Sequence, residues 1–142
     1  MISIATATHS ARDASPAREA ALTHAGIKAV LNIFQRWGLA DAQASALLGG
    51  VGVSTVRRWR QCATSNSLRV DVRRDLQDRL SLILGIYKAL QILFPDAAQA
   101  DGWVQRPSSS PVFAGRSALA VMLDGGVDDL HRVRRYLDAQ RG

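Results

Sequence analysis

The chain has 142 residues, 47% of them hydrophobic, which suffices for one domain or two small ones around a real core. Eighteen Lys and Arg stand against twelve Asp and Glu for a net charge of +6, and only Lys28 and Lys88 of the eighteen are lysines. Arginine forks suit phosphate and carboxylate recognition, so the balance fits a nucleic-acid partner, although a high-GC genome enriches Arg and Ala in the same way. Cys62 is alone, and His9, His24 and His131 have no ligand spacing, so no disulfide, metal or cofactor is expected. Neither a signal peptide nor a run of roughly 18 apolar residues is visible, which predicts a cytoplasmic protein without a membrane partner. Abundant Ala and Leu with few aromatics predict an all-α fold.

Residues 1–22 are rich in Ala, Thr and Ser without a stable apolar period. They read as a flexible N-terminal tail, with room for a helical turn from Ala17 onward. Ile27, Val30, Leu31 and Phe34 then recur at helical spacing, Trp37 follows one turn later, and Gly38 stops the helix. Asp41 is expected to cap a second helix, Ala42–Leu48. After Gly49-Gly-Val-Gly52, Ser54 is expected to cap a third, from Thr55 to about Gln61.

This segment reads as a helix-turn-helix. Ala44 lets the two helices approach, Leu48, Val53 and Val56 fill the wedge, and Trp59 packs inward. Gln43, Ser54, Thr55, Arg57, Arg58 and Arg60 are left as candidate DNA-binding residues, some for phosphates and some for base edges. The glycine turn is about two residues longer than the usual one-glycine corner. The other reading is a helical hairpin whose arginines form a solvated basic face.

A polar stretch, Thr64–Ser67, precedes a long helix from about Val70 to Phe94, closed by Pro95. Its first half interleaves Arg69, Arg73, Arg74 and Arg79 with Asp71, Asp75 and Asp78, in i,i+3 and i,i+4 pairs. Its second half is apolar nearly all round, with Leu80, Ile83, Leu84 and Tyr87 on one side and Leu82, Ile86 and Leu93 on another. Such a helix must be covered on several sides, as a central spine or a dimer contact. The resulting division is a tail (1–22), a helix-turn-helix DNA-binding and dimerisation domain (23–78), and a small helical domain (79–142) joined to it by the long helix.

Beyond it, Trp103 and Phe113 read as core anchors of a proline-bounded loop. Ser117 is expected to cap a helix from Ala118 to Leu123, which Gly125-Gly126 ends. Arg116 is either a surface residue or a partner of Asp124, Asp128 or another protein. The last helix, Asp128 to about Ala139, turns Leu130, Val133 and Leu137 inward and Arg132, Arg134 and Arg135 outward. By itself that outer side is an ordinary solvated face.

Trp103 to Pro107, Phe113-Ala-Gly115-Arg-Ser, Met122-Leu123 before a glycine pair, and Gly142 together resemble one family. It is the C-terminal toxin-binding domain of the Xre/MbcA/ParS-type antitoxins, partners of RES-domain toxins. The resemblance covers the C-terminal third, and Ala118 stands where that family usually has proline. The 41–61 segment is similar to the Cro/repressor-type domains of the same antitoxins. The resemblance implies a type II antitoxin whose C-terminal helix blocks the NAD-binding site of a RES-domain toxin, an NAD-degrading or ADP-ribosylating protein. Toxin contacts would fall on Arg116, Arg135, Tyr136, Asp138, Gln140, Arg141 and Gly142. It also implies a homodimer within a larger toxin–antitoxin complex, binding operator DNA to repress its own operon. The competing function is a helix-turn-helix transcriptional regulator without a toxin partner. An enzyme is not expected, since Gly49–Gly52 lacks the Lys-Ser/Thr of a phosphate loop and no nucleophile–base pair is evident.

Overall fold

The computed structural model describes residues 15–61 and 74–142, with side chains from His24 onward. Regular structure among them comprises helices α1 (Ser15–Arg36), α2 (Asp41–Leu47), α3 (Val53–Gln61), α4 (Arg74–Leu93), α5 (Ala97–Gly102), α6 (Ala118–Asp124) and α7 (Val127–Arg141), with a 3-10 turn at Trp103–Gln105. No strand occurs among these residues. The expectations for residues 1–14, Cys62, the Thr64–Ser67 turn and the charged positions Arg69, Asp71 and Arg73 lie outside them.

Helix α1 begins at Ser15, ahead of the turn expected from Ala17. Its inner face buries Ile27, Val30, Leu31, Ile33 and Phe34. Gly38 ends it with a positive φ of 72°. The Leu39 and Gly38 amides then donate to the Phe34 and Gln35 carbonyls at 3.0 Å each, a left-handed helix cap that satisfies the last carbonyls.

The capping residues of the next two helices differ from those expected. Helix α2 starts at Asp41 itself, after Ala40, and the Gln43 side-chain oxygen accepts from the Ala40 amide at 2.9 Å. Helix α3 starts at Val53 after Gly52, so Ser54 is its second residue and not its cap. The corner is closed from the other side, where the largely buried Ser45 hydroxyl accepts from the Gly52 amide at 3.1 Å. Gly49, Gly50 and Gly52 all take positive φ, at 91°, 83° and 98°. The longer turn therefore needs three residues in a region that glycine occupies without penalty.

Helix α4 is the spine. Leu76, Leu80, Leu82, Ile83, Ile86, Ala89 and Leu90 are buried, and Leu84, Tyr87 and Leu93 pack partly against the same core. Its most extensive neighbour is α7, followed by α1, with α5 folding back on its end. Pro95 follows after Phe94, and Asp96 caps α5 by accepting from the Ala98 amide at 3.1 Å.

One continuous cluster joins buried residues of both halves, from Ile27 to Leu137. Polar ties reinforce the junction. Gln105 donates to the Trp37 carbonyl, and Arg79 donates to the Leu47 carbonyl at 3.3 Å.

The corner glycines give a graded test. A Cβ on Gly50 would meet open space, whereas one on Gly49 would lie 3.0 Å from Asp75 Oδ2 and 3.1 Å from Arg79 Nε. Gly50→Ala is expected to cost about 1–2 kcal/mol for the left-handed backbone alone. Gly49→Ala should cost more, because it also disturbs the Asp75–Arg79 pair. Urea unfolding of both variants checks the order.

Candidate functional site

The first candidate surface is built on α3. Val56 and Trp59 face the core, which turns Ser54, Arg58 and Gln61, at i, i+4 and i+7, onto one exposed stripe. Arg57 flanks this stripe on one side and half-buried Thr55 on the other. Sequence reasoning named all of these but Gln61; continuing the stripe one turn past Arg58 would have found it.

Two of the three arginines are already engaged. Asp41 accepts from Arg57 Nε at 3.2 Å and from Arg60 Nε at 3.0 Å. Arg58 makes no ion pair with a described residue. Arg60, Asp41 and Trp59 also line an open groove of about 600 Å³ against α1, together with Leu31, Asn32 and Leu39. Gln43 is occupied at the start of α2, so its carboxamide serves the helix end.

The second surface is set by an aromatic cluster. Phe113 is buried, and its ring lies edge-on to Trp103 at 5.9 Å and to Tyr136 at 4.9 Å; Trp103 and Tyr136 stack at 6.2 Å. The loop between them closes on itself through a Pro107–Ser117 bridge and the Ser108 amide donating to the Arg116 carbonyl at 3.1 Å. Ala114 and Gly115 at its tip both have positive φ, 50° and 81°. Tyr136 thus spends much of its ring anchoring α7 to this loop.

Ser117 caps α6 as expected, accepting from the Ala120 amide at 3.0 Å. Ala118 is the first residue of that helix, where a backbone amide has no intrahelical partner. Proline fits such a position, so alanine there leaves the geometry unchanged. Of the partners open to Arg116, the structure selects Asp124, at 2.9 Å, with a second bond to the Ala120 carbonyl at 3.2 Å.

Helix α7 starts one residue before the expected Asp128 and runs two past Ala139, to Arg141. Leu130, Val133 and Leu137 are buried as read from their spacing. Arg134 departs from the expected outer face. It is half-buried, its guanidinium lies over Gly85 of α4, and a Cβ there would fall 1.5 Å from Nη1. From that notch Arg134 Nε reaches Asp138 Oδ2 at 3.1 Å, and Arg141 Nη1 reaches the other Asp138 oxygen at 3.6 Å. Arg135, Asp138, Gln140, Arg141 and Gly142 are exposed at or near this end of α7. Arg116 is not among them. It shares a small pocket with Asp129 and Arg132 near the start of α7, roughly 18 Å of helix rise from Arg141.

The fold defines a two-part helical protein, a helix-turn-helix that shares one hydrophobic core with a second helical module. Residues 10–85 match the antitoxin Xre-like helix-turn-helix domain, and residues 89–142 match the antitoxin Xre/MbcA/ParS C-terminal toxin-binding domain. The chain is 42% identical over 135 residues to uncharacterized protein y4oB of Sinorhizobium fredii, covering 95% of this chain and 98% of that one. The chain belongs to the Xre/MbcA/ParS-type antitoxins. It is therefore an antitoxin with a toxin partner and a DNA-binding module, in a family that is not enzymatic. No described helix is long and apolar enough to cross a membrane.

Because only the tip of Arg134 occupies the Gly85 notch, Gly85→Ala should leave global stability within about 1 kcal/mol, the helical gain of alanine offsetting the displaced pair. The end of α7 should nevertheless loosen. Amide hydrogen exchange at residues 138–142 is expected to accelerate while the α4 core amides stay protected.

Proposed function

We propose that this antitoxin belongs to a type II system and neutralises a RES-domain toxin by filling its NAD-binding site with the end of α7. The toxin consumes NAD by hydrolysis or by ADP-ribosyl transfer. Support comes chiefly from one feature, the ordered and charged end of α7. Arg134, Asp138 and Arg141 form a fixed network there, and the Tyr136 ring docks the helix against Trp103 and Phe113. A pre-ordered helix end loses little conformational freedom on docking, so more of its contact energy appears as affinity. Arg135, Gln140, Arg141 and Gly142 supply the direct contacts, with Asp138 orienting Arg141 and Tyr136 setting the helix position. Arg116 serves a separate part of the interface, near the start of α7.

The DNA-binding and dimerisation domain (23–78) acts as a homodimer that represses its own operon, within a larger toxin–antitoxin complex in the cytoplasm. The toxin-binding domain begins inside α4, at residue 79. Ser54, Arg58 and Gln61 face base edges, with Thr55 and Arg57 at the flanks. No cofactor takes part.

Deleting Asp138 to Gly142 should leave a folded, dimeric protein that represses its promoter but no longer rescues cells from the toxin encoded beside it. Full rescue by the shortened chain would refute occlusion. Arg58→Ala should weaken promoter binding by about 1–3 kcal/mol and relax selectivity at one base pair, measured by titration at fixed salt.

A further inference from the structure

The recognition helix carries three arginines, and two of them share one carboxylate. Arg57 and Arg60 are i,i+3 neighbours on the same edge of α3, and Asp41 of α2 gives one oxygen to each Nε, at 3.2 Å and 3.0 Å. The trio therefore carries a formal charge of +1 where the two arginines alone would carry +2. Arg57 remains 66% exposed, so the clasped pair still borders the surface on which DNA would lie. Arg58 projects about 100° further round the helix, on the Ser54–Gln61 stripe and away from the clasp.

Arginine attracts phosphate whatever the sequence, whereas base-edge contacts carry the discrimination. A carboxylate beside two arginines lowers the first contribution and leaves the second untouched. We propose that Asp41 is a specificity-determining residue: by clasping Arg57 and Arg60 it suppresses sequence-independent phosphate binding, so that the exposed Ser54, Arg58 and Gln61 stripe dominates site choice. The inference rests on the DNA-binding reading of this helix-turn-helix and adds to it a residue that never touches a base.

The test compares wild type with Asp41→Asn on two probes, the promoter duplex upstream of its own reading frame and a random-sequence duplex of equal length. Asp41→Asn should bind the random duplex more tightly, with a log–log salt slope steeper by about one. Its advantage should grow about fourfold as salt falls from about 200 to about 50 mM. The promoter-to-random affinity ratio should fall. Unchanged or weaker binding of the random duplex by Asp41→Asn overturns the proposal while leaving the DNA reading intact. Failure of wild type to bind either duplex at low salt overturns the DNA reading and the proposal together. Melting followed by circular dichroism verifies folding, and Asp41→Ser replaces Asp41→Asn should the latter be unfolded. Failure of both to fold would make Asp41 a structural residue and overturn the proposal as well.

Discussion

Burial of α4 on several sides is the constraint from which the rest of the arrangement follows. A helix with Leu80, Leu82, Ile83, Ile86, Ala89 and Leu90 all buried needs partners around at least half of its circumference. α1 covers one side, α7 another, and α5 folds against its end. Those partners come from both matched domains, so the DNA-binding module and the toxin-binding module share one hydrophobic core. Neither could be removed without exposing a face of α4 to water. The Trp37–Gln105 hydrogen bond crosses the same junction, and the Leu47–Arg79 bond ties the helix-turn-helix to the start of α4.

A shared spine has consequences for how the two surfaces are presented. The outer face of α7 is oriented by the packing of Leu130, Val133 and Leu137, and the notch at Gly85 lets Arg134 lie flat on α4 and hold Asp138. On the other side, Trp59 and Val56 set the rotation of α3 and hence which residues reach solvent. In both cases a few buried apolar side chains determine the direction of charged ones. The charged residues then sort among themselves by proximity: Arg57 and Arg60 to Asp41, Arg116 to Asp124, Arg134 and Arg141 to Asp138. Exposed pairs of this kind add little stability, so their main effect is on where charge is available.

Much of this was legible in the sequence because it is local. Helical periodicity marks the buried faces of α1 and α7, the apolar run marks the spine, and Ser117 is a cap both by residue type and by position. Trp103 and Phe113 are legible as anchors, since large rings beside a proline-bounded loop have few places to go but inward. The differences are also local in kind. Asp41 and Ser54 are good capping residues by type, yet Asp41 lies one position inside its helix and Ser54 two residues past the Gly52 corner. A capping preference identifies a neighbourhood, whereas the cap itself depends on where the backbone turns.

What the sequence determined by itself was the all-α class, the helix-turn-helix, the spine, and the antitoxin family carried by motifs in the C-terminal third. Each rests on residues within a turn or two of one another or on short motifs. Only the tertiary structure decided the partnerships at long range. Arg60 meets Asp41 nineteen positions away, Arg134 settles on Gly85 of a different helix, and Tyr136 stacks on Trp103 across the bundle. The physical reason is that these contacts depend on how helices cross and rotate against each other, which follows from packing the whole core at once.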